Sequence, residues 1–178
     1  MRGLGRLFSM RIIFETSRLI VRDFTDADYD NYFSLHGNAQ VMQYIRPAQT
    51  REDSDAKFEE TILNIVPHSF MGRWAVEEKA SGKFIGSFII APIPDDVAKT
   101  QLGYSFLPEY WGKGFATEVT KAGLNYFRDK TSLTEIYAVI ETPNIASHKV
   151  LLKAGFLPFA TKMEGEKELK VLIVRREG

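Results

Sequence analysis

The chain has 178 residues, 44% of them hydrophobic and 26% charged, a globular composition sized for one domain that buries roughly 70% of its unfolded surface. Lys plus Arg equals Asp plus Glu at 23 each, so the formal charge is zero, and the basic surplus of a general nucleic-acid binder is missing. There is no cysteine, which excludes disulfides, thiolate–metal sites and a thiol nucleophile.

The histidines, His36, His68 and His148, are far apart, and no metal site is expected. The longest apolar runs, such as Phe84 to Pro94, are too short to cross a bilayer, so no membrane partner is expected either. Residues 1–10 contain no apolar block of the signal-peptide kind and read as a disordered extension, or Met10 is the true start; residues 11–178 form the domain.

Arg11 to Phe24 reads as mostly extended. Thr25 with Asp28 has the spacing of a capping box, opening a helix with Tyr29, Tyr32, Phe33 and His36 on its apolar face. Thr50 with Asp53 opens a second helix, ending near Val66. Phe70–Glu78 and Lys83–Ala91 are β-rich and joined by a turn signal at Lys79–Gly82, a hairpin. Pro92–Lys99 reads as a loop, and Thr100–Leu107 as a strand stopped by Pro108. After Glu109–Gly114, a helix carries Phe115, Val119, Ala122 and Tyr126 on one face. Thr134–Ile140 is a strand. Thr142 as cap and Pro143 at the first helical position start a short helix to Ala154, closed by Gly155. Phe156–Met163 and Glu168–Arg175 are a final strand pair. The order predicts a single α/β or α+β domain with a mixed sheet.

Two stretches carry chemistry. In the first, a strand runs into a glycine-bearing turn, Tyr110-Trp111-Gly112-Lys113-Gly114, that opens a helix. Such a start offers unpaired N–H groups, the positive end of the dipole and close approach for a phosphate. The spacing is neither that of a nucleotide P-loop nor that of a dinucleotide fingerprint, and a plain strand–turn–helix is the competing reading. In the second, Asn144 and Ser147 share the face of a helix start; the competing reading is a capping Asn144 with an incidental Ser147.

Together, Tyr110 to Glu118 and the series Asn144, Ser147, Val150, Leu151, Lys153, Gly155 and Phe156 resemble the GNAT superfamily of N-acetyltransferases. They look most like the branch that acetylates N-termini of ribosomal proteins. Glu15 to Arg22, Trp74-Ala75-Val76 and Gly82 to Gly86 look like that branch too, so the resemblance runs from about Ile12 to Arg175. It implies a mostly antiparallel sheet of six or seven strands, about four helices, and a splay between Gly103–Leu107 and Thr134–Ile140.

It further implies acetyl-CoA as co-substrate and no metal. The diphosphate would lie on the amides of Gly112, Lys113, Gly114, Phe115, Ala116 and Thr117, with Trp111 where the family usually has Gln or Arg. Phe106 and Leu107 would run beside the pantetheine arm, which Asn144 would also contact, and Ser147 would protonate the leaving thiolate. Without cysteine, direct attack by the amine in a ternary complex is the simplest route. An α-amine of pKa near 7.8 is about a tenth neutral at pH 7 and needs little help from a base. Glu141 is the first candidate base, with Glu109 and Glu164 as alternatives. The acceptor is expected to be a protein N-terminal amine or a small amine such as a polyamine, an aminoglycoside or an amino-acid-like toxin. A polyamine would want an acidic pocket, and Asp23, Asp26, Asp28 and Asp30 come closest to one. A non-catalytic acyl-CoA sensor of the same fold is the alternative. A cytoplasmic monomer or homodimer is expected, and Tyr29, Tyr32 and Phe33 read as core or acceptor-pocket lining.

Overall fold

A computed structural model describes residues 10–62 and 69–176. The strands are β1 (Ile12–Glu15), β2 (Leu19–Arg22), β3 (Gly72–Glu78), β4 (Lys83–Ile93), β5 (Asp96–Phe106), β6 (Glu135–Glu141), β7 (Leu157–Glu164) and β8 (Lys167–Arg175). The helices are α1 (Tyr29–His36), α2 (Ala39–Met42), α3 (Arg51–Thr61), α4 (Phe115–Lys130) and α5 (Ile145–Ala154), with a 3-10 turn at Pro108–Tyr110. The strands form one sheet in the order β1-β2-β3-β4-β5-β6-β8-β7. All neighbours are antiparallel except β5 and β6, which the crossover helix α4 makes parallel.

The alternation of apolar residues gives the sheet two buried faces. On one, Trp74, Phe88 and Phe106 pack against Phe115, Val119 and Phe127 of α4 and Leu151 of α5. Gly123 permits this contact, since a Cβ there would lie 2.2 Å from the Phe88 ring. On the other, Ala75 and Phe84 pack against Tyr32, Leu35, Met42 and Phe58 of α1–α3. Each large side chain fully buried in this way contributes roughly 1.5–3 kcal/mol.

β5 and β6 share a single bridge, Gln101 with Tyr137, and then part. Leu107 donates to Ile85 O at 2.9 Å, so by the alternation of an antiparallel ladder Ser105 and Leu107 point their peptide groups at β4, while Tyr104 and Phe106 point theirs into the gap. Arg176 N–H on Thr134 O sets the β6–β8 register in the same way and turns Val139 and Glu141 toward the gap from its other side. The expected splay is therefore a slit lined by main-chain groups.

Several expectations are corrected. Among the described residues the sheet has eight strands, because Arg11 to Phe24 is a hairpin of two, and α2 makes the helices five. Pro92–Lys99 is a continuation of both strands around a tight turn at Pro94 and Asp95, with a register shift beyond Pro92. At Thr25 the box is displaced: α1 begins at Tyr29 after Asp28, whose carboxylate accepts from Thr25 N–H at 2.8 Å and is otherwise drawn to Arg22 at 2.7 Å. Thr50 caps α3 as expected, accepting from Asp53 N–H at 3.1 Å; the expected end near Val66 lies outside the described residues, as do residues 1–9 of the extension. Thr142 does not cap α5. Its hydroxyl donates to Glu168 at 2.7 Å across the sheet, and the cap passes to Asn144.

Candidate active site

The slit is closed at one end by the turn between β5 and α4. Gly112 and Gly114 have φ of 72° and 83°, backbone that side chains with a Cβ avoid. Between them they bring successive peptide N–H groups to the start of α4, which has no side-chain cap. Among the described residues, no N–H from Gly112 to Thr117 finds an acceptor, and Trp111 to Gly114 are exposed. Exposed, unpartnered amides at a helix start are the kind of arrangement that attracts anions. The Trp111 indole Nε1 donates to Phe106 O at 2.7 Å, tying the turn to the end of β5. The Lys113 ammonium leans over the Tyr110 ring, 5.2 Å from its centre.

A clasp that the sequence does not announce holds this turn. Glu118, in the first turn of α4, accepts from Thr16 Oγ1, from Arg18 N–H at 3.1 Å and from Arg18 Nε at 2.7 Å. Burial pushes the Glu118 carboxyl up, but these bonds and the Arg18 charge outweigh it and hold the group below the usual carboxylate range. Arg18 in turn donates Nη1 to Lys113 O at 3.0 Å and covers the Phe115 ring at 4.4 Å. A cation from the β1–β2 turn thus stands beside Gly114.

Along the slit, Phe106 offers its N–H, its carbonyl being taken by Trp111, whereas Leu107 N–H is spent on Ile85 O. Of the two residues expected beside the arm, only Phe106 presents a free main-chain donor there. Asn144 Oδ1 accepts from Ser147 N–H at 3.1 Å, so Asn144 is a cap and fixes Ser147 in the first turn of α5. Ser147 lies close to Tyr104, a residue not singled out from the sequence. Burial pushes the Tyr104 phenol up to about 12, and the Ser147 hydroxyl opposes that rise. No hydrogen bond of normal geometry reaches Tyr104 Oη, which is buried without a partner. A buried hydroxyl in that state is costly unless something else bonds it.

Glu141 is also near, but its carboxylate is already paired with the Lys167 ammonium. Glu109 and Glu164 are exposed. The acidic residues near α1 are likewise engaged: Asp23 with Arg11 at 3.1 Å, Asp28 with Arg22 at 2.7 Å, and Asp30 with Arg51 at 2.6 Å. Asp26 has no such ion pair among the described residues and is exposed. Among the described residues no group of His, Asp or Glu is arranged to hold a metal ion, and no helix is long and apolar enough to cross a membrane.

A strand, a glycine turn with unpartnered amides, a crossover helix and a slit between two parallel strands thus lie together. Residues 18–157 match the family described as the acetyltransferase (GNAT) domain. The chain is 31% identical over 146 residues to an uncharacterized N-acetyltransferase, YoaA, of Bacillus subtilis, covering 81% of this chain and 82% of that one. In fold it is similar to spermidine N-acetyltransferase from Vibrio cholerae, solved with CoA and spermine, at a TM-score of 0.73 and 20% identity over 90% of this chain and 96% of that one. It is similar also to RimL, a ribosomal L7/L12 α-N-protein acetyltransferase solved with CoA, at 0.77 and 14% identity over 93% and 98%. The chain belongs to the GNAT acetyltransferase family, and it is an acetyl-CoA-dependent N-acetyltransferase.

Proposed function

We propose that this enzyme acetylates a primary α-amine by direct attack, with the donor's diphosphate on the amides of Gly112 to Thr117 and its arm in the β5–β6 slit. The run of partnerless N–H groups beside Gly112 and Gly114 carries this reading. Bound there, acetyl-CoA supplies a thioester carbonyl, which the amine attacks to form the amide as the thiolate leaves. The Phe106 N–H stabilises the oxygen that gains charge. Asn144 holds Ser147 by its cap, and Ser147 donates its proton to the thiolate and regains one, through solvent, from the nitrogen as it becomes the amide. Tyr104, protonated at neutral pH as an ordinary phenol is and held so more firmly by burial, stands behind that hydroxyl.

With Glu141 engaged by Lys167, the amine must lose its proton to water or arrive neutral. That favours an α-amine over a lysine side chain by roughly three-hundredfold in neutral fraction at pH 7. A protein N-terminus, as for RimL, and a small α-amine are both acceptors of this kind.

Calorimetry with CoA and thiol release from acetyl-CoA over an amine panel test the proposal. CoA should bind, α-amines should be acetylated, and Ser147→Ala should lower kcat by up to about a hundredfold with CoA affinity unchanged. Tight CoA binding with no turnover on any amine would instead make the domain a sensor.

A further inference from the structure

On the sheet face opposite α4 and α5, next to the slit, lies a cationic cluster that the acetyl-transfer reading does not use. Arg73 on β3 places Nη1 3.5 Å from Ser87 Oγ on β4, and Ser87 Oγ is 3.1 Å from Ser105 Oγ on β5. Ser105 sits between Tyr104 and Phe106, the residues whose peptide groups enter the slit, so this chain of contacts reaches the point where an acceptor amine must arrive. From above, the end of α1 adds His36, 1% exposed, its ring stacked on Tyr32 at 3.9 Å between centres. Its Nδ1 is 3.1 Å from Tyr32 O, which can only accept, so Nδ1 carries the hydrogen. The segment after α2 adds Arg46 and Gln49, the latter bonded through its N–H to His36 O at 2.8 Å.

Three features set this cluster apart from an ordinary buried ion pair. Neither Arg46 nor Arg73 forms a salt bridge among the described residues, and the other described arginines without one, Arg128 and Arg176, are exposed where these two are half-buried. Outside the described residues the sequence holds only one acid, Glu177. Among the described residues, Arg46 Nε and Gln49 Oε1 are buried without hydrogen-bond partners. The charges acting on His36 are all positive: burial first, then Arg73 and Arg46, hold it neutral down to about pH 3. Two half-buried guanidiniums facing a neutral imidazole, serine hydroxyls and an orphaned donor form a site short of one anion. Desolvated cations left unpaired are costly, and a planar guanidinium pairs best with a carboxylate.

We propose that this cluster binds a carboxylate borne by the acceptor near its reacting amine. The acceptor class is then an acidic primary amine, either a free amino-acid-like molecule or a peptide with Asp or Glu next to its N-terminus, and not a polyamine. The assignment rests on the amine-acetylation reading above and narrows its substrate. The carboxylate anchors on Arg73 and Arg46, Ser87 and Ser105 line its path to the slit, and the amine reaches the thioester from the face opposite Ser147.

Matched acceptors test it in the wild-type enzyme. Acetyl-CoA thiol release is followed with glutamate against glutamine amide, with a Ser-Asp-Ala peptide against Ser-Asn-Ala and Ser-Lys-Ala, and with spermidine. An acidic acceptor should exceed its neutral partner by at least about tenfold in kcat/KM, through KM. Preference in the amino-acid arm alone assigns the small-molecule source, and preference in the peptide arm alone the protein source. Arg73→Gln should erase the preference, Arg73→Lys should retain part of it, and CoA affinity by calorimetry should be the same in all three. Equal rates for acid and amide, or a lead for spermidine, overturn the proposal. If no amine is acetylated, the reaction assigned above has failed by itself. N-acetylaspartate titrated into the free enzyme then decides: binding in wild type that is lost in Arg73→Gln upholds the carboxylate site, and no binding overturns it.

Discussion

Gly114 has φ at 83°, and a Cβ built on it would stand 3.4 Å from Arg18 Nη2. Gly114→Val therefore strains the turn and crowds the opening over the amides, and calorimetry should show CoA affinity falling by more than about tenfold. Lys113→Ala should cost less than about threefold, because an exposed ammonium resting on a ring adds little; the reverse order would discard the main-chain cradle. Tyr104→Phe separates function from packing. Removing a buried hydroxyl that lacks a partner should leave the melting temperature equal or higher, while kcat drops. A purely structural Tyr104 would leave kcat unmoved. The glycine turn was legible in the sequence because positive φ leaves a compositional mark. Tyr104, Arg18 and Glu118 were not, because the residues they meet lie some 40 to 100 positions away and no local pattern encodes them.

Helix α5 shows how a local reading goes astray. Thr142-Pro143 has the pattern of a cap and a first helical residue, yet Thr142 is claimed by Glu168 on a strand that follows it by 26 positions. The helix starts two residues later, on Asn144, and Gly155 ends it with φ at 99° as its chemistry suggests. Asn144→Ala should destabilise the fold by about 1 kcal/mol in a urea titration. It should also lower kcat, since the capped N–H is that of Ser147. Asn144→Asp, an equal cap, should restore the stability. The strand and helix elements of the core were readable from alternation and spacing, whereas the extension of β4 and β5 through Pro92–Lys99 was hidden by Pro92, Pro94 and the paired aspartates. Those residues signal a loop, but here they form a two-residue corner and its bulged approach.

At the scale of the whole molecule, Arg22 joins the helical layer to the sheet. It donates to both oxygens of Asp28 at 2.7 and 3.0 Å and to Glu77 at 2.7 Å, and all but Glu77 are almost fully buried. Burial pushes the Asp28 carboxyl up, but Arg22, Thr25 and Asn31 outweigh it and hold it below its usual 3.8. Its contribution is whole above pH 4 or so and is lost as pH falls through the lower native value. His36 acts over a different window. Its native value of about 3 lies below the ordinary 6.5, so the unfolded chain takes up a proton first and stability declines as pH falls from 6.5 toward 3. Thermal melts across pH 7.5 to 3 should thus fall in two stages, with the upper one absent in His36→Gln. Asp28→Asn, which leaves Arg22 with a weaker partner in a buried site, should cost about 3–5 kcal/mol at neutral pH. Fold class and slit were legible from motifs and element order; the cationic cluster was not, because its members come from α1, the segment after α2, and three strands, and only tertiary structure brings them together.

The indole that ties the turn to β5 has an optical consequence. The chain holds two tryptophans: Trp74 is 1% exposed in the core, and Trp111 is 46% exposed at the cradle. An aqueous quencher such as iodide should reach only the second, and donor occupancy of the cradle should shield it. Emission from this enzyme should therefore report arrivals at the mouth of the slit without any label, and Trp111→Phe should silence that signal while leaving the steady glow of the interior.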